Sequence, residues 1–260
     1  MNFETILFEV NEHVATITLN RPQQMNSFNY QMTRDFRSVW TLIREDQDIY
    51  TVVLRAAPCR AFCTGVDVKQ GWRKPDERSA PFDMEDPGEW LGPKANKVWK
   101  PVIVAVSGMA AGGAFYWLNE ADIIICSDDS TFFDPHLMFG MVSAVEPIGA
   151  LGRLPMLEIL RMVLLANEER ISAETAKRIS LVTEVTKPAD LWSRAEEIAR
   201  SICTKHPVPV QGTVRAIWEA RSLPHAQAVS NALKYTQLGN PIGTASVDRS
   251  KMRTPKWRLR

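Results

Sequence analysis

The chain is poor in the residues that build metal centres and disulfide frameworks. Its 260 residues include four cysteines and four histidines. No two of the cysteines Cys59, Cys63, Cys126 and Cys203 form a CxxC pair, so neither zinc nor a disulfide scaffold is expected. An excess of one charge is also missing. The 31 Lys and Arg balance 30 Asp and Glu to a formal +1, which gives no support to a nucleic-acid-binding face. No apolar run approaches the ~20 residues that span a bilayer. The opening, MNFETILFEVNEHVATITLNRP, carries charge throughout and lacks the basic start and unbroken apolar run of a signal peptide. A cytoplasmic protein with no membrane partner is the expectation. GxGxxG, GxxxxGK[ST] and GxSxG are all absent, which argues against nucleotide-triphosphate and serine-hydrolase chemistry.

What is present is an ordinary globular composition, 45% apolar and 23% charged, long enough to bury a sizeable core. Residues 3–10 and 14–19 alternate as strands around an Asn11-Glu12 turn. Met32, Phe36, Val39, Trp40 and Ile43 recur at spacings of three and four, which predicts a helix over 29–44. TVVLRA (51–56) then reads as a buried strand. Proline at 75, 81, 87 and 93 makes Gly71–Lys97 a long loop. PVIVAVSG (101–108) is a strand, MAAGGAFYWLNEAD a turn into a short helix, and ADIIICSDDSTFF two short strands. A helix follows Pro155, another opens at Ser172, and LVTEVT (181–186) closes the strands. Beyond it only helical periodicity remains, over 190–204, 208–221 and 225–238. The predicted class is α/β, with a core domain over 1–195 and a helical region over 196–260.

Two glycine turns follow strands at corresponding places: RAFCTGVDVK (60–69) and SGMAAGGAF (107–115). Such turns expose backbone N–H groups, and two of them aimed at one oxygen make an oxyanion hole. An isolated Gly-Gly more often only lets a tight turn form.

These two segments closely resemble the oxyanion-hole segments of the crotonase family, the enoyl-CoA hydratase/isomerase group. TITLNRPQQMNSFNYQM, ADIIICSDDSTFFDP and LLANEERISAETAKRISLVTEV resemble further segments of it in the same order, so the likeness covers residues 5–200. The resemblance implies a spiral of repeated β-β-α units and a helical C-terminal part that helps form homotrimers, often paired into hexamers. It also implies an acyl-CoA thioester as substrate, with coenzyme A as its carrier and no permanently bound cofactor or metal. By the same analogy the N–H groups of Val66 and Gly113 hold the thioester oxygen as it becomes an enolate. Ala61, Thr64, Gly65, Asp67 and Val68 line the pantetheine and adenine path.

The acid/base positions depart from the family pattern. Family hydratases hold a water between two glutamates; this chain has Tyr116 and His136 at those places. His136 can take and give a proton near neutral pH, and Tyr116, one turn beyond Gly113, can donate a hydrogen bond. A turn-capping histidine and a packed tyrosine are the plainer readings. Glu146, among small apolar residues, can orient His136 or act as the base, or it can simply complement a helix N-terminus. Asp134, beside Pro135, reads as a turn former. Trp72, Trp90 and Trp99 can wall a bulky acyl pocket or anchor the loop. The tail KMRTPKWRLR can reach coenzyme A phosphates, although a solvated basic end is the simpler reading. The predicted activity is enoyl-CoA hydratase/isomerase-like, with His136 in place of a glutamate. Double-bond isomerisation, hydrolytic C–C cleavage of a β-keto or cyclic acyl-CoA, a silent acyl-CoA-binding member, and a hydrolase acting without coenzyme A are the alternatives.

Overall fold

A computed structural model describes residues 3–74, 82, 84–251 and 257–259. Residues 75–81 and 83 of the proline-rich loop and 252–256 and 260 of the basic tail lie outside the described residues. The chain divides into two compact units, Met1–Thr204 and Lys205–Arg260.

The first unit opens with a hairpin of β1 (Ile6–Asn11) and β2 (Val14–Leu19). Its turn is Glu12–His13, one residue later than the sequence suggested. Both residues are left-handed, at φ 47° and 69°, as a two-residue hairpin loop requires when its twist matches the strands. Helix α1 (Tyr30–Glu45) starts at Asn29, whose side chain accepts the Met32 amide, and buries the predicted stripe of Met32, Phe36, Val39, Trp40 and Ile43. Its far end is closed by the buried Lys100, whose ammonium donates to the carbonyls of Ile43 and Asp46.

Three β-β-α units follow. β3 (Thr51–Ala56) and β4 (Ala61–Cys63) precede the single-turn helix α2 (Gly88–Leu91). β5 (Val102–Val106) and β6 (Met109–Ala111) precede α3 (Phe115–Glu120). β7 (Ile123–Ser127) and β8 (Thr131–Phe133) precede α4 (Val145–Ala150). Next come α5 (Met156–Leu165), β9 (Ile171–Ser172), α6 (Ala173–Arg178), β10 (Glu184–Thr186) and α7 (Leu191–Cys203). The first strand of each unit joins a sheet ordered β1-β2-β3-β5-β7-β10, and the second joins a smaller sheet ordered β4-β6-β8-β9. This alternation is the spiral that the resemblance implied. Of LVTEVT only Glu184–Thr186 pairs, with β7; Leu181 and Val182 are buried in the core ahead of it.

Both faces of the larger sheet are covered, which explains its nearly continuous apolar strands. Val52, Leu54, Val102, Val104, Val106 and Ile124 enter the main core with α1. The alternate residues Val53, Ile103, Ala105 and Ile125 pack on Leu191, Ala195 and Ala199 of α7. That helix runs unbroken through residue 195 and stays with the first unit. The second unit pairs α8 (Pro207–Ala220) with α9 (His225–Ala245), which continues through Pro241 beyond the predicted end. No helix among the described residues is long and apolar enough to cross a membrane.

Candidate active site

The first glycine bend leaves β4 at Gly65, whose φ of +85° is left-handed and suits glycine. A buried ion pair fixes the bend. Arg21 donates to Asp67 at 2.8 Å and to the Ser27 carbonyl at 2.6 Å, and the Asp67 carboxylate also accepts the amides of Lys69 and Gln70. Burial opposes this charge, but the Arg21 bond and the two amides outweigh it and hold Asp67 below the usual carboxylate range. Asp67 thus serves as an internal anchor of the bend. Asn26 ties the other side, donating to the carbonyls of Ala57 and Ala61.

Phe28 pairs with the bend in parallel. Its amide donates to Gly65 at 2.9 Å and its carbonyl accepts Asp67 at 2.7 Å. In that pattern the residue between, Val66, turns its own N–H away from Phe28. Ala61 and Gly65 are buried, Thr64 is half-buried and Val68 is 79% exposed.

The second bend follows β6, where Gly112–Ala114 form a 3-10 turn ahead of α3. Gly113 lies in the first turn, so its N–H has no carbonyl within the helix to meet. The two bends touch: a methyl group on Gly65 would lie 3.1 Å from the Gly113 nitrogen, and one on Gly113 would meet the Phe28 ring at 2.5 Å. Val66 and Gly113, forty-seven positions apart in sequence, are therefore on adjoining backbone segments.

The acid/base candidates gather beside this pair. A methyl group on Gly112 would lie 3.3 Å from the Pro135 ring and 3.6 Å from His136 Cε1. His136 Nδ1 lies 2.7 Å from Asp134 Oδ1, and the Asp134 Oδ2 accepts Ser143 Oγ at 2.8 Å. On the other side of the ring, Nε2 is 3.6 Å from Glu146 Oε1. The Asp134 bond raises the His136 pKa against the opposing effect of burial. Burial likewise pushes Glu146 up, because its carboxylate is deprived of water. Tyr116 donates to Asp86 Oδ2 at 2.9 Å; burial first, then the charges of Glu146 and Asp86, push its hydroxyl upward.

Helix α3 organises this cluster. Asn119 donates to the Glu146 carbonyl at 2.7 Å and so fixes α4, while Tyr116, three residues earlier, holds Asp86 of the loop. Glu120 accepts the amides of Lys94 and Ala95 and pins the returning loop. Gly88 lets that loop pass Tyr116, since a methyl group there would lie 2.7 Å from the tyrosine ring.

Sequence reasoning missed Asp86, Asn119 and Ser143, and it gave Asp134 only a turn. Asp134 does make the turn, accepting the His136 amide at 3.0 Å, and its carboxylate also holds the ring. The Phe-Asp-Pro-His spacing could have signalled this, because an Asx-type turn brings residue i to residue i+2. Asp86 carries no local signal in a loop without periodicity. Trp72 and Trp90 pack with ring centroids 5.6 Å apart and planes tilted by 59°, and Trp90 lines a cleft of about 550 Å³ along α1 with Tyr30, Arg34, Arg37 and Glu85. Trp99 is half-buried.

Residues 9–250 match the family profile described as enoyl-CoA hydratase/isomerase. The chain belongs to this family. Its members share the crotonase fold, and the chain is an enzyme of the acyl-CoA-processing crotonase type. It is 34% identical over 220 residues to an (E)-benzylidenesuccinyl-CoA hydratase of Thauera aromatica, covering 84% of each chain. It is 30% identical over 224 residues to a short-chain-enoyl-CoA hydratase of Clostridium acetobutylicum, covering 84% of this chain and 82% of that one. A crystal structure of an enoyl-CoA hydratase/isomerase from Mycobacterium paratuberculosis superposes with a TM-score of 0.88 at 32% identity, covering 100% of both chains.

Proposed function

We propose that this enzyme adds water across the C2=C3 bond of a 2-enoyl-CoA thioester. The Val66 and Gly113 amides hold the thioester oxygen, His136 Nε2 activates the water and Glu146 supplies the α-proton. The observation that carries the reading is the contact between the Gly65 and Gly113 bends, with His136 set against the second of them. Two amides directed at an oxygen that gains charge stabilise the enolate more than the ground state, which is what lowers the barrier.

The step balances within these groups. The water O–H bond breaks and its hydrogen goes to Nε2 while the oxygen bonds to C3. The C2=C3 electron pair moves into the carbonyl, and C2 then takes the proton of the Glu146 carboxyl. Return of the Nε2 proton to Glu146 restores the enzyme. Coenzyme A is carried along the Ala61–Val68 segment, with Thr64 and the exposed Val68 toward the ligand and Asp67 holding the backbone. The packed pair Trp72 and Trp90 and the likeness to a hydratase named for a benzylidene substrate support an acyl group bearing a ring.

The enzyme works as a homotrimer or homohexamer in the cytoplasm. Support comes from Leu137, Met138, Phe139, Met141, Val142 and Ile148, all at least 43% exposed beside the His136 turn; so large an apolar surface marks an interface.

Double-bond isomerisation is the second reading, favoured by the absence of the paired glutamates, because it needs only one group to move a proton between carbons. Turnover of aliphatic and aryl 2-enoyl-, 3-enoyl- and 3-oxoacyl-CoA thioesters separates the possibilities. Hydration predicts consumption of the 2-enoyl series with 3-hydroxyacyl product; activity confined to the 3-enoyl or 3-oxoacyl series overturns it.

A further inference from the structure

Arg55, Arg161, Arg194, Arg200 and Arg215 each pair with a glutamate. Arg34 and Arg37, both exposed on α1, do not. Arg34 Nη1 donates to the Tyr30 hydroxyl at 3.2 Å, and its guanidinium carbon lies 5.7 Å from the centre of that ring. The Arg37 guanidinium has no partner among the described residues. Three positions apart on one helix, the two side chains emerge on the same face and can both reach a single anion.

That face forms one wall of the cleft of about 550 Å³, and Glu85 and Trp90 belong to the other. Its size is that of a small-ligand pocket. Both walls are fixed by the protein itself. The Tyr30 amide donates to the Gly71 carbonyl at 3.0 Å and the Trp40 indole to the Leu91 carbonyl at 2.9 Å, which ties α1 to the loop at two places. Asn96 donates to the carbonyls of Glu89, Trp90 and Gly92 and holds the turn that carries Trp90. Arg73 lies 4.6 Å over the ring of Trp72, the packing partner of Trp90, and donates to the Glu85 carbonyl at 3.3 Å. Among the lining residues Glu85 supplies the carboxylate, and against Arg34 and Arg37 it leaves the cleft net positive.

We propose that this cleft binds an aryl carboxylate, with the carboxylate across Arg34 and Arg37 and the ring against Trp90 and Tyr30. A guanidinium is planar and weakly hydrated, so two of them give up little solvation to meet the two oxygens of a carboxylate. The indole and the phenol beside them supply the flat apolar surface that an aryl group buries. Inorganic phosphate would find the charges and leave both rings uncovered. The cleft is separate from the cluster around His136, yet the 85–90 segment stands between them. Glu85 and Trp90 face the cleft, while Asp86 accepts the Tyr116 hydroxyl at 2.9 Å and a methyl group on Gly88 would lie 2.7 Å from the Tyr116 ring. The carboxylate therefore has two sources with one chemistry, the far end of an acyl group or a free acid. Only the first source rests on the functional reading above.

The site is tested on the ligand-free protein by calorimetry with 3-phenylpropionate. Binding at about 1 mM or tighter is expected, and the Trp90 indole N–H resonance, assigned by its loss in Trp90→Phe, should shift on saturation. Arg34→Gln and Arg37→Gln place a good helix former at exposed positions. Each should weaken binding about tenfold, and the two together should abolish it, with unchanged thermal melting. The uncharged 3-phenylpropionamide should not bind, and inorganic phosphate should bind at least about tenfold more weakly than the aryl acid. No binding by the native protein, undiminished binding in the double variant, or phosphate binding as tight as that of the aryl acid overturns the proposal.

Kinetics then name the source. The thioester panel gains a 2-enoyl-CoA that ends in an aryl carboxylate, together with its amide. If the acyl group carries the carboxylate, Arg37→Gln raises the half-saturating concentration of the acid about tenfold and leaves the amide and crotonyl-CoA unchanged. If a free acid is the ligand, the substitution leaves all three thioesters unchanged. Should no thioester be turned over, the functional reading fails, and the calorimetry still decides the cleft.

Discussion

The His136 ring is held by a residue only two positions earlier: Nδ1 lies 2.7 Å from Asp134 Oδ1, which also accepts the His136 amide at 3.0 Å. One oxygen therefore shapes the turn and fixes the tautomer, so that backbone and ring cannot be oriented independently. Asp134 is 1% exposed. Burial opposes its charge, yet the His136 and Ser143 bonds hold its pKa below the usual carboxylate range.

This pairing sets the expected pH dependence. The Asp134 bond raises the His136 pKa above 6.5, and water activation needs Nε2 unprotonated. The kcat/KM profile should therefore climb with pH through a limb lying above that value. In Asp134→Asn the limb should move to lower pH, because the group favouring the imidazolium is gone, and the plateau should fall about 10²-fold or more. A pH profile of both proteins checks this; an unmoved limb would show that another group titrates.

Replacement of His136 by Ala is expected to lower kcat about 10²- to 10⁴-fold, the usual range for a general base. Half-saturation should change little, since the proposed reading holds the thioester oxygen at Val66 and Gly113 and coenzyme A along Ala61–Val68. Steady-state kinetics on the best thioester of the panel decides the matter. Turnover unchanged by the substitution would remove His136 from the mechanism.

Gly113→Ala should displace the second amide, because the added methyl would lie 2.5 Å from the Phe28 ring. Loss of one oxyanion donor costs about 10²- to 10³-fold in kcat. Adding Phe28→Leu should relieve the clash and recover part of the rate. Recovery in the double variant, measured against each single one, ties the loss to the displaced amide and not to general instability.

The ion pair of Arg21 with Asp67 should govern stability. Asp67→Asn leaves the guanidinium buried with a weaker partner, at a cost of about 3 kcal/mol. The Asp67 pKa is depressed in the fold, so its contribution is present above the unfolded value of 3.8 and is lost as pH falls below that value through the folded one. The melting temperatures of the native protein and of Asp67→Asn should accordingly differ most near neutrality and converge in acid. A gap that stays constant with pH would count against the ion pair.

Much of this was legible in the residues. The α1 stripe at spacings of three and four appears buried as read, and the apolar strands 51–56 and 101–108 lie in the centre of the larger sheet. Two of the three short second strands were not legible. β4 and β6 have three residues each, too few for a period of two to declare itself, and they were read as turns. The prolines of 71–97 pointed to irregular backbone, but the single turn of α2 and the placement of Asp86 against Tyr116 of α3 depend on tertiary contacts.

The sequence by itself determined the alternation of strands and helices and the two glycine bends. These are local matters of residue type and spacing, and they suffice to indicate the enoyl-CoA hydratase/isomerase family. Only the tertiary structure decided which groups meet. Asp86 reaches Tyr116 across thirty positions, and Glu146 meets His136 because Asn119 fixes the start of α4. Chain separation carries no information about such proximity; it arises when the two sheets bury their common core and bring the bends, the loop and α4 against α3.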